Sequence, residues 1–166
     1  MRTIITLYIV MLTPFMCLSQ NGESNESDVA SKEHGKEKGI YEIITSGIYN
    51  YSPESKHGNF GSEFHFTYWF NHNWGTGLSY TAIFEEDLLV NEIAVLGSWN
   101  PAKWCTLNAG PSFTLPNDHN NLELGAYGEI EFNIRPVKWF HFGPVLGTVI
   151  GHTVHFNTGF HLGFEF

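Results

Sequence analysis

Residues 153–166 read TVHFNTGFHLGFEF, and their alternation decides the fold. Val154, Phe156, Phe160, Leu162, Phe164 and Phe166 share one parity, while His155, Asn157, Gly159, His161, Gly163 and Glu165 share the other. Successive side chains of a strand point to opposite faces, so the stretch predicts a single long β-strand with one oily and one polar face.

The same period runs backward through the chain. It predicts eight strands, at about 41–51, 59–70, 74–84, 88–99, 104–115, 121–134, 138–150 and 153–166. Most exceed the five or six residues usual in soluble sheets and match the nine to eleven that a tilted strand needs to cross hydrocarbon. Three connections, NHNWG (71–75), NPAKW (100–104) and RPVKW (135–139), form a weak internal repeat ending on tryptophan or one residue past it. It places Trp74, Trp104 and Trp139 at one end of the sheet, the position of an aromatic girdle at a membrane interface. Pro101 and Pro136 are expected to preset these turns, and Gly110-Pro111 and Gly143-Pro144 to mark bulges or kinks. The other connections, 52–58, 85–87, 116–121 and 151–153, are short and polar and belong at the opposite end.

Alternation alone does not separate a barrel that is oily outside from a soluble, lipocalin-like barrel that is oily inside. Composition of the polar face decides between them. Parity puts Glu42, Glu63, Glu92, Glu123, Glu129, Glu131 and Glu165 there, with His65, His141, His155 and His161 and no Lys or Arg within a strand. A water-bathed exterior mixes both signs of charge and is rich in lysine. The other face carries Phe64, Phe66, Leu78, Tyr80, Val95, Leu124, Ile130, Phe132 and Leu146, a band suited to lipid. Glycines on the inner face suit the narrow interior of an eight-strand barrel.

The start of the chain is of another kind. Residues 4–18, apolar behind Arg2 and followed by Ser19, read as a secretory signal peptide over 1–19, and the polar stretch 20–40 as a flexible leader. A lipid-anchored Cys17 is the alternative, but Phe15 and Met16 stand where such a signal needs small residues. Beyond the expected cut only Cys105 is left, so no internal disulfide can form. The net charge of −9 opposes nucleic acid as a partner.

Over residues 41–166 the chain resembles the small eight-stranded outer-membrane β-barrel proteins of Gram-negative bacteria. The likeness rests on the signal peptide, the eight amphipathic strands, the tryptophan turns and the terminal Phe164-Glu165-Phe166. It implies an all-β, antiparallel, up-and-down transmembrane barrel, monomeric, exported to the outer membrane and surrounded by its lipids. It further implies that the barrel-assembly machinery reads Phe160, Leu162, Phe164 and Phe166.

For function the expectation is a non-catalytic structural or envelope-maintenance barrel without a cofactor. A narrow conduit for small solutes, a soluble ligand-binding barrel and a lipid-modifying enzyme are the alternatives. His155-Phe156-Asn157 with Glu165 resembles the His-x-Ser and later Glu of outer-membrane lipid A deacylases, yet Asn157 stands in the serine place and offers no activatable oxygen. A hairpin pairing Ile134 with Lys138 would set Glu131 opposite His141, with His161 diagonal to it. That predicts a lumen cluster of Glu129, Glu131, His141 and His161, whose side chains could also ligate a metal.

Overall fold

The computed structural model describes residues 39–85, 88–117 and 121–166. The expected signal peptide and all of the leader except Gly39 and Ile40 lie outside the described residues. The strands are β1 Ile40–Ser52, β2 His57–Trp69, β3 Trp74–Phe84, β4 Leu89–Ala102, β5 Cys105–Thr114, β6 Glu123–Phe132, β7 Ile134–Val137, β8 Phe140–Ile150 and β9 Val154–Glu165. All pair antiparallel in the order β6-β5-β4-β3-β2-β1-β9-β8-β7, and β6 pairs with β8 as well. β6 and β7 are two pieces of one barrel strand, interrupted at Asn133, so the sheet closes on itself with eight strands. Closure removes every free edge and satisfies the backbone without solvent.

The faces follow parity. Leu78 is 54% exposed and is flanked in register by Phe66 and Val95, both also exposed, while Glu63, Thr67 and Ser79 beside them are buried. Glu42, Glu63, Glu92, Glu129 and Glu131 are buried inside the barrel, whereas Glu123 and Glu165, near the strand ends, are only half-buried. Aromatic rings cover the outside in neighbouring pairs, Trp74 stacking on Trp99 with centroids 5.7 Å apart and Trp139 on Phe164 at 6.3 Å. Trp74, Trp104 and Trp139 are exposed at the end of the barrel that carries the 70–73, 103–104 and 138–139 turns.

One expectation about proline is corrected. The turns are Lys103-Trp104 and Lys138-Trp139, and Pro101 and Pro136 lie within β4 and β7 before them. Both fall where the ladder slips, between Trp99 and Ala102 and between Ile134 and Val137. Proline has no N–H to give the ladder, so a bulge forms around it. Gly110-Pro111 and Gly143-Pro144 keep their register against β6 and β9, but on the other side the ladder lapses opposite them, at Val95 and Leu96 of β4 and at Phe132 and Asn133 where β6 gives way to β7, a local irregularity of the kind expected. Their glycines serve a close approach of the neighbouring backbone: a Cβ at Gly110 would strike the Val95 carbonyl oxygen, and one at Gly143 that of Phe132.

Candidate functional site

With lipid-facing residues outside, the interior is where the chain concentrates its chemistry. It is filled by polar side chains together with a smaller apolar set.

At the turn end, Arg135 of β7 forms an ion pair with Glu165 of β9 and donates from Nε to the Lys103 carbonyl at 3.2 Å. An open cavity of about 980 Å³ lies over this mouth, lined by Trp69, Asn100, Arg135 and Glu165 among others. Beneath it His141 Nε2 stands 2.7 Å from Glu42 Oε1, and Trp69 Nε1 donates to Glu42 Oε2 at 2.9 Å. His141 Nδ1 lies 3.3 Å from His161 Nε2, which in turn lies 3.0 Å from Asn133 Oδ1. With His141 donating from Nε2 to Glu42, its Nδ1 is an acceptor, and the one proton on His161 Nε2 faces two acceptors, His141 Nδ1 and Asn133 Oδ1. Asn133 passes the chain on to Thr106 at 2.8 Å and Thr106 to Asn100 at 2.7 Å. Gly163 makes room for this group, since a Cβ there would run into the His141 ring.

Deeper in the lumen is a second group. Asn108 Nδ2 donates to Glu131 Oε1 at 2.7 Å and to Glu129 Oε1 at 3.1 Å. The Tyr127 hydroxyl lies 2.8 Å from both Glu129 Oε2 and Glu63 Oε1, and Thr81 donates to Glu63 at 2.9 Å. The His65 ring sits among the three carboxylates: Nε2 is 3.4 Å from Glu63, and Nδ1 is 3.6 Å from Glu129 and 3.5 Å from Glu131. Above this group Ala94, Leu96, Tyr127 and Val149 form a small apolar plug, and Asn50 bonds Asn157 at 2.7 Å across the β1–β9 seam.

The expected cluster of Glu129, Glu131, His141 and His161 is thereby corrected. All four residues are buried in the lumen, but they divide between the two groups. The hairpin tip lies at 138–139, so Ile134 faces Phe142 and Glu131 faces Val145, four residues beyond the expected partner. The displacement follows from proline: Pro136 occupies a strand position and the turn forms after it. His141 does pair with Gly163, as a three-residue connection at 151–153 requires. Its carboxylate partner is Glu42, from the first strand. Glu63, His65, Tyr127 and Asn108 complete the deeper group. Parity marks them as inward, and Asn108 meets Glu129 and Glu131 from the adjacent strand, but Glu63 and His65 on β2 meet Tyr127, Glu129 and Glu131 on β6 across the barrel, and sequence spacing carries no sign of that. Arg135, expected within a turn, is a strand residue instead, and its charge sits at the turn-end mouth.

His155 lies near the loop end with Nε2 2.6 Å from Thr153 Oγ1, and Asn157 is held by Asn50. Phe160, Leu162, Phe164 and Phe166 are exposed on the outer face of the last strand and its end. Phe166 exchanges backbone hydrogen bonds with Tyr41 at 2.9 and 3.0 Å, so the final residue helps to seal the seam.

No family model matches the chain, and no curated protein matches it. Solved structures do. The N-terminal β-barrel domain of Pseudomonas aeruginosa OprF superposes with a TM-score of 0.60 at 15% identity, over 78% of this chain and 100% of that one. This chain has the fold of the small outer-membrane barrels. OprG of the same organism matches with a TM-score of 0.52 at 12% identity over 77% of this chain and 96% of its own, and Ail, the attachment invasion locus protein of Yersinia pestis, with 0.51 at 13% over 77% and 97%.

Proposed function

We propose that this chain is a structural protein of the outer membrane: a monomeric, non-catalytic barrel that contributes to envelope maintenance and passes no sizeable solute. The observation that carries the reading is the filled lumen. Glu63, Thr67, Ser79, Glu131, His141 and His161 are all 2% exposed or less, so side chains occupy the space that a channel would need. The exposed apolar band supports a lipid surround, and the fold supports outer-membrane localisation. Asn157, bonded to Asn50 where a hydrolytic barrel would need a serine, supports a role without catalysis. The short loops favour neither adhesion nor capture of a large partner. In this reading the signal peptide over 1–19 directs export, residues 20–40 form a periplasmic leader and the barrel-assembly machinery inserts residues 41–166 by way of the aromatic terminal strand.

Two measurements on the detergent-extracted protein test this. Migration that changes on heating, together with fractionation in the outer membrane, is expected of a membrane barrel; recovery as a freely soluble periplasmic protein would refute it. In planar bilayers no large, stable single-channel steps are expected. Such steps would instead favour a conduit.

A further inference from the structure

We propose that His65, Glu63, Glu129 and Glu131 form a binding site for one divalent transition-metal ion of the zinc class, sealed inside the barrel between β2 and β6. His65, Glu63 and Glu129 each bring a ligand atom within 4.8 Å of the others, and all three are buried. Parity and closure produce this arrangement: Glu63 and His65 alternate on the inner face of β2, as do Glu129 and Glu131 on that of β6.

Three features distinguish the group from an ordinary polar core. First, His65 Nδ1 and one oxygen each of Glu63 and Glu131 have no hydrogen-bond partner although they are buried. An orphaned buried polar atom is costly, and three at one place are a ligand set short of its ion. Second, the spacing is that of ligands around a metal. Four donors at about 2.0–2.1 Å from a tetrahedral zinc stand about 3.3 Å from one another. His65 Nδ1 lies 3.5 and 3.6 Å from carboxylate oxygens of Glu131 and Glu129, at or beyond the edge of hydrogen-bonding range, while Nε2 on the other side of the ring faces Glu63 at 3.4 Å. A ring bound through one nitrogen and facing a carboxylate with the other is the usual way a protein orients a ligating histidine.

Third, the charges do not balance. Three carboxylates face one imidazole, and the single Tyr127 hydroxyl proton can serve only one of the two oxygens it touches. The guanidinium of Arg135, the arginine among the described residues, is engaged with Glu165 at the mouth. A divalent cation supplies the missing positive charge.

The group at the turn end is the informative contrast. Glu42, His141 and Glu165 also converge, but Glu42 is held by Trp69 and His141, and Glu165 by Arg135. Those three residues are held by protein alone, and the orphaned atom of the turn-end group is His161 Nδ1, one against three in the deeper group.

The test uses the full chain, extracted from outer membranes of cells grown with zinc, isolated in its folded, heat-modifiable form and dialysed against a chelator. Metal analysis is expected to find about one equivalent of zinc, a loss of tenfold or more in H65Q and no loss in H141Q. Wild-type protein refolded with cadmium-113 supplies a reading that does not depend on a variant folding: a cadmium resonance coupled to the His65 ring nitrogens is expected. The proposal is overturned if folded wild-type protein holds no metal both as isolated and after refolding with zinc. It is equally overturned if H65Q folds and keeps the same metal content, or if the bound cadmium shows no coupling to His65.

Discussion

Tyr127 on β6 reaches across the barrel interior to place its hydroxyl 2.8 Å from Glu63 on β2, a strand four places away in the sheet. A closed sheet is held around its circumference by ladder hydrogen bonds, and this contact ties it through the middle. The phenol also touches Glu129 at 2.8 Å, so a single side chain connects two carboxylates on different strands.

Removing that hydroxyl tests how much the tie contributes. Tyr127→Phe keeps the ring in the apolar plug and strips a partner from two buried carboxylates. The expected loss is about 1–3 kcal/mol of folding stability, the range for a buried polar group left unsatisfied. Urea unfolding in lipid vesicles measures it, and an unchanged midpoint would show that the hydroxyl contributes nothing.

Orientation in the membrane is tested on the other face. Leu78 lies near the middle of β3 and points outward between Phe66 and Val95. Leu78→Arg is expected to cost about 2–4 kcal/mol in a bilayer, where arginine meets hydrocarbon near the midplane. Wild-type stability of this variant in bilayers would show that the apolar band does not face lipid.

Two glycines separate the crowded inside from the open outside. A Cβ at Gly163 would collide with the His141 ring, whereas one at Gly47 would meet nothing within 4 Å. Gly163→Ala is therefore expected to destabilise by about 1–3 kcal/mol through overpacking. Gly47→Ala is expected to be neutral or to stabilise by up to about 1 kcal/mol, because alanine in a strand loses less entropy on folding. Parallel unfolding curves of the two variants check the contrast; equal effects would contradict it.

The end of the chain is expected to be indispensable for assembly. Deleting Phe164–Phe166 removes the backbone exchange with Tyr41, the bond from Glu165 to the Trp139 carbonyl and the partner of Arg135. An open seam leaves unpaired strand edges in hydrocarbon. The folded, heat-modifiable band should disappear from outer-membrane fractions, and wild-type yield of the truncated protein would defeat the expectation.

The alternation in residues 153–166 and its repetition upstream were enough to determine the number of barrel strands, which residues share a face and the end at which the tryptophans gather, and the lysine-free composition of the polar face then placed it inside. Each of these depends on the period of two between neighbouring side chains, a property of the chain over a few residues at a time. That is why the apolar band around Leu78 and the inward glutamates could be placed without coordinates. Register at the prolines was not legible in the same way. Pro136 can sit in a turn or at a bulge with equal local comfort, and only pairing with β8 selected the bulge, moving Glu131 from His141 to Val145. The contacts of the lumen were further out of reach. Glu42 meets His141 and Glu63 meets Tyr127 only because the sheet closes with a particular strand tilt and register, bringing side chains distant in sequence to the same depth. Parity states which side of the sheet a residue occupies; which residue it meets across the interior is decided by closure.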